Sequence, residues 1–225
     1  DEFLAQTQLL LRQNACNEIS TAEFYAAMAQ TVGEISLYDL YLGGSRQAVA
    51  WGAEQVASEI IDQDEQILDI GCGTGVLDCF LAQEFPHKTF RGVDRITEMI
   101  TYAQERATRR SLGNISFQLQ ELNTATTSKE QKYDVIICSH SIEEDLPTGD
   151  ELYHNLRLHA LEEILTERGR LLCLENTNTE SLQAMIETGY NVPDAHLFYN
   201  YKDGPTVAEV FRRYPAPKKA KIPTG

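Results

Sequence analysis

The sequence predicts an α/β fold in which a doubly wound, mostly parallel sheet of seven strands ends in an antiparallel hairpin. Three observations support this prediction. The apolar pattern alternates between strand and helix periods over residues 66–174, two strand-like runs follow near the carboxyl end, and helical periodicity occupies the first part of the chain. Strands separated by helices pair in parallel through right-handed crossovers. We therefore expect a helical N-terminal cover over 1–62, an α/β core over 63–215, and a basic, proline-containing tail over 216–225.

The composition is that of a globular protein that fits one large domain. Of the 225 residues, 42% are hydrophobic and 24% are charged, which excludes a mostly disordered chain. The formal net charge of −15 argues against a nucleic-acid partner, because phosphate backbones are bound by an excess of Lys and Arg. The composition carries no indication of an oligomeric state.

Several features bear on the cellular compartment. The five cysteines are odd in number, widely spaced and without a CxxC pair, which favours buried free thiols in a reducing compartment over zinc or redox chemistry. No apolar run reaches the roughly 18 residues of a membrane span, and no basic-then-apolar leader opens the chain. We therefore expect a cytoplasmic protein with neither a metal nor a membrane partner. The chain begins at Asp1 rather than Met, which fits a trimmed chain or one excised from a larger protein.

Two amphipathic helices are predicted before the first strand, over Thr21–Val32 and Ser45–Ile61, with Thr21 and Ser45 as N-caps. Residues 38–44 form a loop with aromatic content between them. The core then reads, in order, strand Gln66–Ile70, helix Val76–Glu84, strand Thr89–Val93, helix Ile96–Ser111, strand Ile115–Leu119, strand Tyr133–Cys138, helix Asp150–Thr166, strand Gly169–Leu174 and helix Glu180–Thr188.

The last two strands, His196–Tyr201 and Thr206–Tyr214, are joined by Lys202-Asp203-Gly204-Pro205. Because this joint has the composition of a tight turn, it predicts a hairpin rather than another crossover.

Three glycines stand at alternate positions in Leu68-Asp69-Ile70-Gly71-Cys72-Gly73-Thr74-Gly75, where a buried strand gives way to a helix. Glycines let the backbone turn sharply and approach a ligand, and a helix start offers unpaired N–H groups. The spacing departs from the dinucleotide pattern GxGxxG, because Val76 stands where its last Gly would be. Asp69 would repel a pyrophosphate and attract a cation. The loop therefore favours S-adenosylmethionine, which carries a sulfonium, an ammonium and no phosphate.

This stretch resembles the cofactor loop of the class I S-adenosylmethionine-dependent methyltransferases, which have a Rossmann-like fold. The resemblance follows the order of elements from Tyr38 to Tyr214, and it is specific at residue level in the first loop. It implies that Asp94, at the end of the next strand, accepts both ribose hydroxyls. Glu121 would lie beside the adenine with Leu122 as an apolar neighbour, although the family usually has Gly-Asp in place of Gln120-Glu121. The implied cofactor-binding residues are Asp69, Gly71, Cys72, Gly73, Gly75, Asp94, Arg95, Glu121, Leu122 and Ser139.

Each of these assignments has a structural alternative. Asp94 could cap the helix that begins near Ile96. Glu121 could be a solvated loop residue. The glycine loop could be a tight turn from strand to helix that holds no ligand.

The end of the fourth strand is where acceptor chemistry is expected, because ligands of open α/β sheets lie beyond the carboxyl ends of the strands. His140 is a candidate base or a contact of the cofactor's methionine part, and it could equally be a hydrogen-bonded histidine at a strand end. Glu143 and Glu144 could hold a cationic amine and receive its proton, or simply favour a helix start through the helix dipole. Many family members place a His where this chain has Glu144.

The N-terminal segment resembles the variable cover that closes over cofactor and acceptor in methyltransferases of small molecules. Tyr38 and Tyr41 lie in the predicted loop and are candidate substrate contacts. Arg46 is grouped with them as a candidate partner of the cofactor's carboxylate. Phe24 and Trp51, at helical spacing, are assigned to packing.

The resemblance implies a methyltransferase that acts on a small molecule, at a nitrogen or oxygen atom of a biosynthetic intermediate. The short chain, without an added recognition domain, favours a small acceptor over a macromolecule. Two alternatives stay open. One is a non-catalytic S-adenosylmethionine-binding scaffold or a degenerate domain of a larger synthase. The other, disfavoured by the glycine spacing and Asp69, is a nicotinamide oxidoreductase.

Overall fold

The computed structural model describes residues 2–32, 35–36, 38, 46–120, 131–139, 161, 163–176, 197–201 and 204–212. The helices of this part of the chain are α1 (Glu2–Ala15), α2 (Thr21–Met28), α3 (Arg46–Glu59), α4 (Val76–Glu84) and α5 (Thr97–Arg109). The strands are β1 (Thr31–Val32), β2 (Ile35–Ser36), β3 (Gln66–Ile70), β4 (Thr89–Asp94), β5 (Ile115–Leu119), β6 (Tyr133–Ser139), β7 (Leu165–Asn176), β8 (Leu197–Tyr201) and β9 (Gly204–Arg212).

Within the described residues, seven strands form the main sheet, in the order β5-β4-β3-β6-β7-β9-β8. The first five run parallel, and β9 and β8 add an antiparallel hairpin at one edge. The chain moves outward from β3 to β5 and then returns to the other side of β3 with β6. The predicted fold class is confirmed, and this reversal between β3 and β6 marks the place where open α/β sheets bind ligands.

The N-terminal prediction was wrong in its details. Ser20, not Thr21, is the N-cap of α2, and it forms a capping box with Glu23. The Glu23 N–H donates to Ser20 Oγ at 3.2 Å, and the Ser20 N–H donates to Glu23 Oε2 at 2.8 Å. The helix stops at Met28, because the β-branched pair Thr31–Val32 pairs as a strand with Ile35–Ser36.

Helix α1 was not predicted from the sequence. The second predicted helix corresponds to α3, and its proposed cap Ser45 lies outside the described residues. No helix among the described residues is both long and apolar enough to span a bilayer.

Ser20→Ala is expected to destabilise the protein by about 1 kcal/mol, because it removes the acceptor at the start of α2. Thr21→Ala is the matched control and should change the free energy of unfolding by less than about 0.5 kcal/mol. Urea denaturation of both variants measures the difference. Equal losses would show that the capping box contributes nothing.

Several boundaries differ from the prediction at the carboxyl side of the core. Strand β7 begins at Leu165, so the predicted helix to Thr166 runs too far and the predicted strand start at Gly169 comes too late. The cause is an irregularity of register, in which Tyr133 pairs with Leu165 but Val135 pairs with Arg170. Strand β9 begins at residue 204, which pairs with residue 201, so the turn is shorter than predicted. The predicted helix 180–188 and most of 150–166 lie outside the described residues.

Alternation along the strands divides the core between the two faces of the sheet. In β3, Ile67 lies on the face of the sheet that packs against α3 and α4, while Leu68 and Ile70 lie on the opposite face. Asp69 shares the face of Ile67 and is therefore buried under α4. The α3 and α4 face packs Val56, Ile60, Ile67, Leu81, Phe90, Val135, Ile137 and Leu172.

Buried polar contacts fix the amino-terminal end of β3. Arg170 on β7 is paired with the carboxylate of Asp64 and donates to the Glu59 carbonyl at 2.7 Å. Asp134 Oδ2 accepts the N–H groups of Glu65 and Gln66 at 2.9 and 3.0 Å. These contacts set where β3 enters the sheet, and so where its carboxyl end delivers the glycine loop.

Candidate functional site

The glycine loop between β3 and α4 is built from left-handed backbone. Gly71, Gly73 and Gly75 have φ values of 74°, 52° and 68°, and α4 begins at the next residue. The N–H groups of Gly71 and Cys72 donate to the Val93 carbonyl at 2.8 and 3.1 Å. Glycine therefore stands at each of the three alternate positions where the backbone is left-handed, a conformation that residues with a side chain rarely adopt.

Phe117 on β5 packs into the space that two glycines leave open. A Cβ atom at Gly75 would lie 2.7 Å from Phe117 Cζ, and one at Gly92 would lie 2.5 Å from Phe117 Cδ1. A Cβ at Gly73 would instead meet Tyr38 Cε1 at 3.6 Å, an ordinary contact. Gly75 is thus required for packing and for backbone conformation, and Gly73 for conformation.

Asp94, at the end of β4, ties the loop to α5. Its Oδ2 accepts the Gly73 N–H at 3.0 Å, and its Oδ1 accepts the Ile96 N–H at 2.8 Å. Burial raises the pKa of Asp94 above its ordinary value, against the two N–H donors, which lower it. Ile96 is the N-cap of α5 and has no capping side chain of its own, so Asp94 supplies an acceptor there. The hydrogen bond to Ile96 agrees with the alternative in which Asp94 caps α5. The same carboxylate also accepts a hydrogen bond from the glycine loop, through Gly73.

A second acidic pair lies beneath the loop. The side chains of Asp69 on β3 and Asp78 in the first turn of α4 are 2% and 1% exposed. Asp69 Oδ1 and Asp78 Oδ2 receive no hydrogen bond from any N–H or hydroxyl group of the described residues. Burial, followed by the charge of Asp78, holds the pKa of Asp69 well above its ordinary value.

The other described candidates lie around the same edge. Ser139 ends β6, one position beyond Cys138, which pairs with Ile70. Arg95 directly follows Asp94 and is half-buried. The Cys72 side chain is buried, and burial raises the pKa of its thiol well above the ordinary value, so it is a neutral packing group. Cys79 and Cys138 are buried as predicted, whereas Cys16 is exposed, because it follows the end of α1 at the surface.

Tyr38 brings the N-terminal segment to the loop. Its ring contacts Tyr25 at a centroid distance of 5.9 Å, and Tyr25 contacts Phe24 at 5.1 Å. Phe24 is buried with Met28 against Ile96 and Met99 of the α5 region, which agrees with its assignment to packing. One of the two predicted loop tyrosines thus lies over Gly73.

The remaining predicted site residues, or their side chains, lie outside the described part of the chain. Arg46 is the first residue of α3, but its side chain, like that of Trp51, is outside the described part. Those that lie wholly outside the described residues are Tyr41, Glu121, Leu122, His140, Glu143 and Glu144.

Sequence reasoning missed Asp78 and Phe117. The signal for Asp78 was present, because in Val76–Glu84 the acid falls on the same helical face as Leu81 and Ala82, both buried. A lone carboxylate on an apolar helix face indicates a buried acid. Phe117 gave no local signal, since its role depends on glycines in two other elements.

Comparison with known proteins adds the family. Residues 61–201 match the model of a methyltransferase domain. This chain belongs to the methyltransferase domain family. S-adenosylmethionine is the cofactor of this family.

Two curated relatives illustrate the range. The malonyl-[acyl-carrier protein] O-methyltransferase of Priestia megaterium is 32% identical over 100 residues, which cover 44% of this chain and 35% of that protein. The (S)-coclaurine N-methyltransferase of Papaver somniferum is 26% identical over 143 residues, which cover 63% of this chain and 36% of that protein. The methyltransferase chain thus spans only about a third of the length of these relatives.

Among solved structures, magnesium protoporphyrin IX methyltransferase from Synechocystis PCC 6803 with bound SAM gives a TM-score of 0.64 at 18% identity. The match covers 87% of this chain and 92% of that one. At this identity the likeness shows the fold. The predicted class I methyltransferase fold is confirmed.

The residues present at the methyltransferase loop fit this cofactor. The left-handed turn presents backbone rather than side chains to a ligand, and a carboxyl oxygen of Asp69 is buried under it without an N–H or hydroxyl donor among the described residues. Two buried acids below the loop suit a cationic group and would repel the pyrophosphate of a dinucleotide. The geometry therefore weighs against the nicotinamide alternative.

Proposed function

We propose that this chain transfers the methyl group of S-adenosylmethionine to a small-molecule acceptor, at a nitrogen or oxygen atom. The observation that carries the proposal is the set of carboxyl groups around the glycine loop, with Asp69 and Asp78 buried beneath it and Asp94 beside it. This arrangement suits a ligand that is cationic at one end and a ribonucleoside at the other.

The chain's own residues have distinct roles in this proposal. Gly71, Gly73 and Gly75 hold the left-handed turn whose backbone faces the cofactor. Asp94 accepts the ribose hydroxyls with the lone pairs that its two N–H partners leave free, since each carboxylate oxygen can accept more than one hydrogen bond. Asp69 faces the cationic methionine end.

The Tyr38 ring is proposed to cover the loop and exclude water from the reacting groups. The bound cofactor supplies a methyl carbon that its sulfonium activates, so the protein's task is chiefly proximity and orientation. The proposed acceptor site is beyond β6, where Ser139 leads into His140.

The two relatives leave the acceptor atom open, because one is named for O-methylation and the other for N-methylation, and of the two only the (S)-coclaurine enzyme is named for an acceptor without a protein carrier. A direct test uses S-adenosylmethionine with a labelled methyl group and a cell extract divided by ultrafiltration. We expect labelled methylated products, distinct from the cofactor itself, in the small-molecule fraction only. Transfer to the macromolecular fraction alone would contradict the small-acceptor assignment, and no transfer to either would contradict catalysis.

The acidic residues after β6 distinguish an amine from other acceptors. If Glu143 and Glu144 hold a cationic amine, Glu143→Gln with Glu144→Gln should lower acceptor turnover about tenfold, while S-adenosylhomocysteine affinity stays nearly constant. Turnover assays beside thermal melts measure both. If the acids only favour a helix start, the double variant instead loses about 0.3–1 kcal/mol of stability per acid and keeps its turnover, and His140 remains the candidate base.

A further inference from the structure

The pair formed by Asp69 and Asp78 differs from the other buried acid of the described core. Asp64 is paired with Arg170, whereas neither Asp69 nor Asp78 forms a salt bridge with a described side chain. A leucine at position 78 would serve the apolar side of α4 at lower cost, since burying a carboxyl group that forms no salt bridge is unfavourable. The pair therefore needs an explanation beyond packing.

The carboxyl groups of Asp69 and Asp78 are close enough to share a proton. Their side chains are within hydrogen-bonding reach of each other, and a hydrogen bond between two carboxyl groups requires a proton on one of them. Burial raises the pKa of Asp78 to about 6, while the bond from Asp69 opposes this rise. Burial and the mutual repulsion of the two charges therefore favour one shared proton over two ionised carboxylates in this pair.

Charged and titratable side chains of several elements act on the pair. Arg106 on α5 favours the charge on Asp78, and its guanidinium lies 5.1 Å from the centre of the Tyr102 ring. Asp94 and Cys138 disfavour charge on Asp69. The thiols of Cys72 and Cys79 stay neutral, because burial raises the pKa of each. These surroundings therefore disfavour a second negative charge on the pair.

We propose that Asp78 is a positioning residue for the cofactor: it fixes the orientation of the Asp69 carboxyl group and keeps one negative charge beneath the loop, opposite the cationic end of S-adenosylmethionine. The inference rests on the proposed cofactor site. It assigns to α4 a part in cofactor binding through Asp69.

The test measures S-adenosylhomocysteine affinity by calorimetry from about pH 5 to about pH 8 in the wild type, Asp78→Leu and Asp78→Asn. Wild-type affinity should fall as the pH drops below about 6, where the pair becomes neutral. Asp78→Leu removes the charge of Asp78 and leaves Asp69 buried, where burial still disfavours its ionised form, so the affinity at neutral pH should fall about tenfold and the pH step near about 6 should be displaced. Asp78→Asn should restore most of the affinity, because its amide can donate to an ionised Asp69.

Ligand-free stability gives a second readout. Both folded-state pKa values are raised, so the pair's contribution to stability is present below the unfolded-state pKa of about 3.9 and is lost as the pH rises through about 6 and beyond. The wild type should therefore lose more of its melting temperature between about pH 5 and about pH 8 than Asp78→Leu does. Glu84→Gln removes an exposed charge from the same helix and should follow the wild type.

The outcomes separate this inference from the proposed function. If the wild type does not bind S-adenosylhomocysteine at all, the proposed function fails. If it binds and the affinity profiles of Asp78→Leu and the wild type coincide, Asp78 is only a packing residue and the inference is overturned. A shifted profile in Asp78→Leu that Asp78→Asn does not restore overturns the role of the hydrogen bond to Asp69.

Discussion

Gly75→Ala is expected to destabilise the ligand-free protein by about 2–5 kcal/mol. Two independent costs combine. The backbone at this position has φ of 68°, and a left-handed conformation costs a residue with a Cβ about 1–2 kcal/mol. The new methyl group would also lie 2.7 Å from Phe117 Cζ and 3.0 Å from Ala103 Cβ, and overpacking of this kind costs about 1–3 kcal/mol. Urea denaturation measures the loss.

Gly113→Ala is the matched control, because nothing lies within 4 Å of a Cβ there and its φ is not positive. It should change the free energy of unfolding by less than about 0.5 kcal/mol. Adding Phe117→Leu to Gly75→Ala should recover the steric part and leave the backbone part. If Gly75→Ala and Gly113→Ala lose the same amount, the close packing of Phe117 against the loop is wrong.

The order of elements could be predicted because each one carries its own periodicity. Strand β3 is a short run that is buried on both faces, and burial in α5 repeats along the helical turn, so each pattern is visible without a distant partner. The signal for the glycine loop was equally local, since three closely spaced glycines indicate its conformation. Its acid, Asp69, could be named for the same reason.

What could not be predicted depends on contacts between elements that are distant in sequence. The Phe117 ring on β5 leaves no room for a Cβ atom at Gly75 or Gly92, and nothing in the sequence near residue 117 indicates this. The early start of β7 follows from its register with β6 rather than from its composition. Periodicity says that a side chain is buried, but not against what, so the Asp69 and Asp78 pair became visible only in three dimensions.

The N-terminal errors have a different origin. Ser20 and Thr21 both have side chains that can cap a helix, and the hydrogen bonds of Ser20 make it the N-cap. After Met28 the β-branched residues Thr31 and Val32 form a strand instead of continuing the helix. These are choices between local structures of similar energy, which tertiary packing decides. The packing of Phe24 and Met28 against α5 is what fixes this segment.

Asp94→Ala should weaken S-adenosylhomocysteine binding by about 1.5–3 kcal/mol, the range for hydrogen bonds to a charged group. Because about 1.4 kcal/mol corresponds to a tenfold change in affinity, calorimetry should register a loss of roughly 10- to 150-fold.

The same change removes the acceptor of the Gly73 and Ile96 N–H groups, so a second measurement is needed to separate ribose binding from support of the loop. An analogue of S-adenosylhomocysteine that lacks one ribose hydroxyl completes a double-mutant cycle. If Asp94 binds the ribose, the missing hydroxyl weakens binding to the wild type and has little further effect on Asp94→Ala. Fully additive losses, together with earlier melting of the variant, would instead assign Asp94 to the loop and the start of α5 alone.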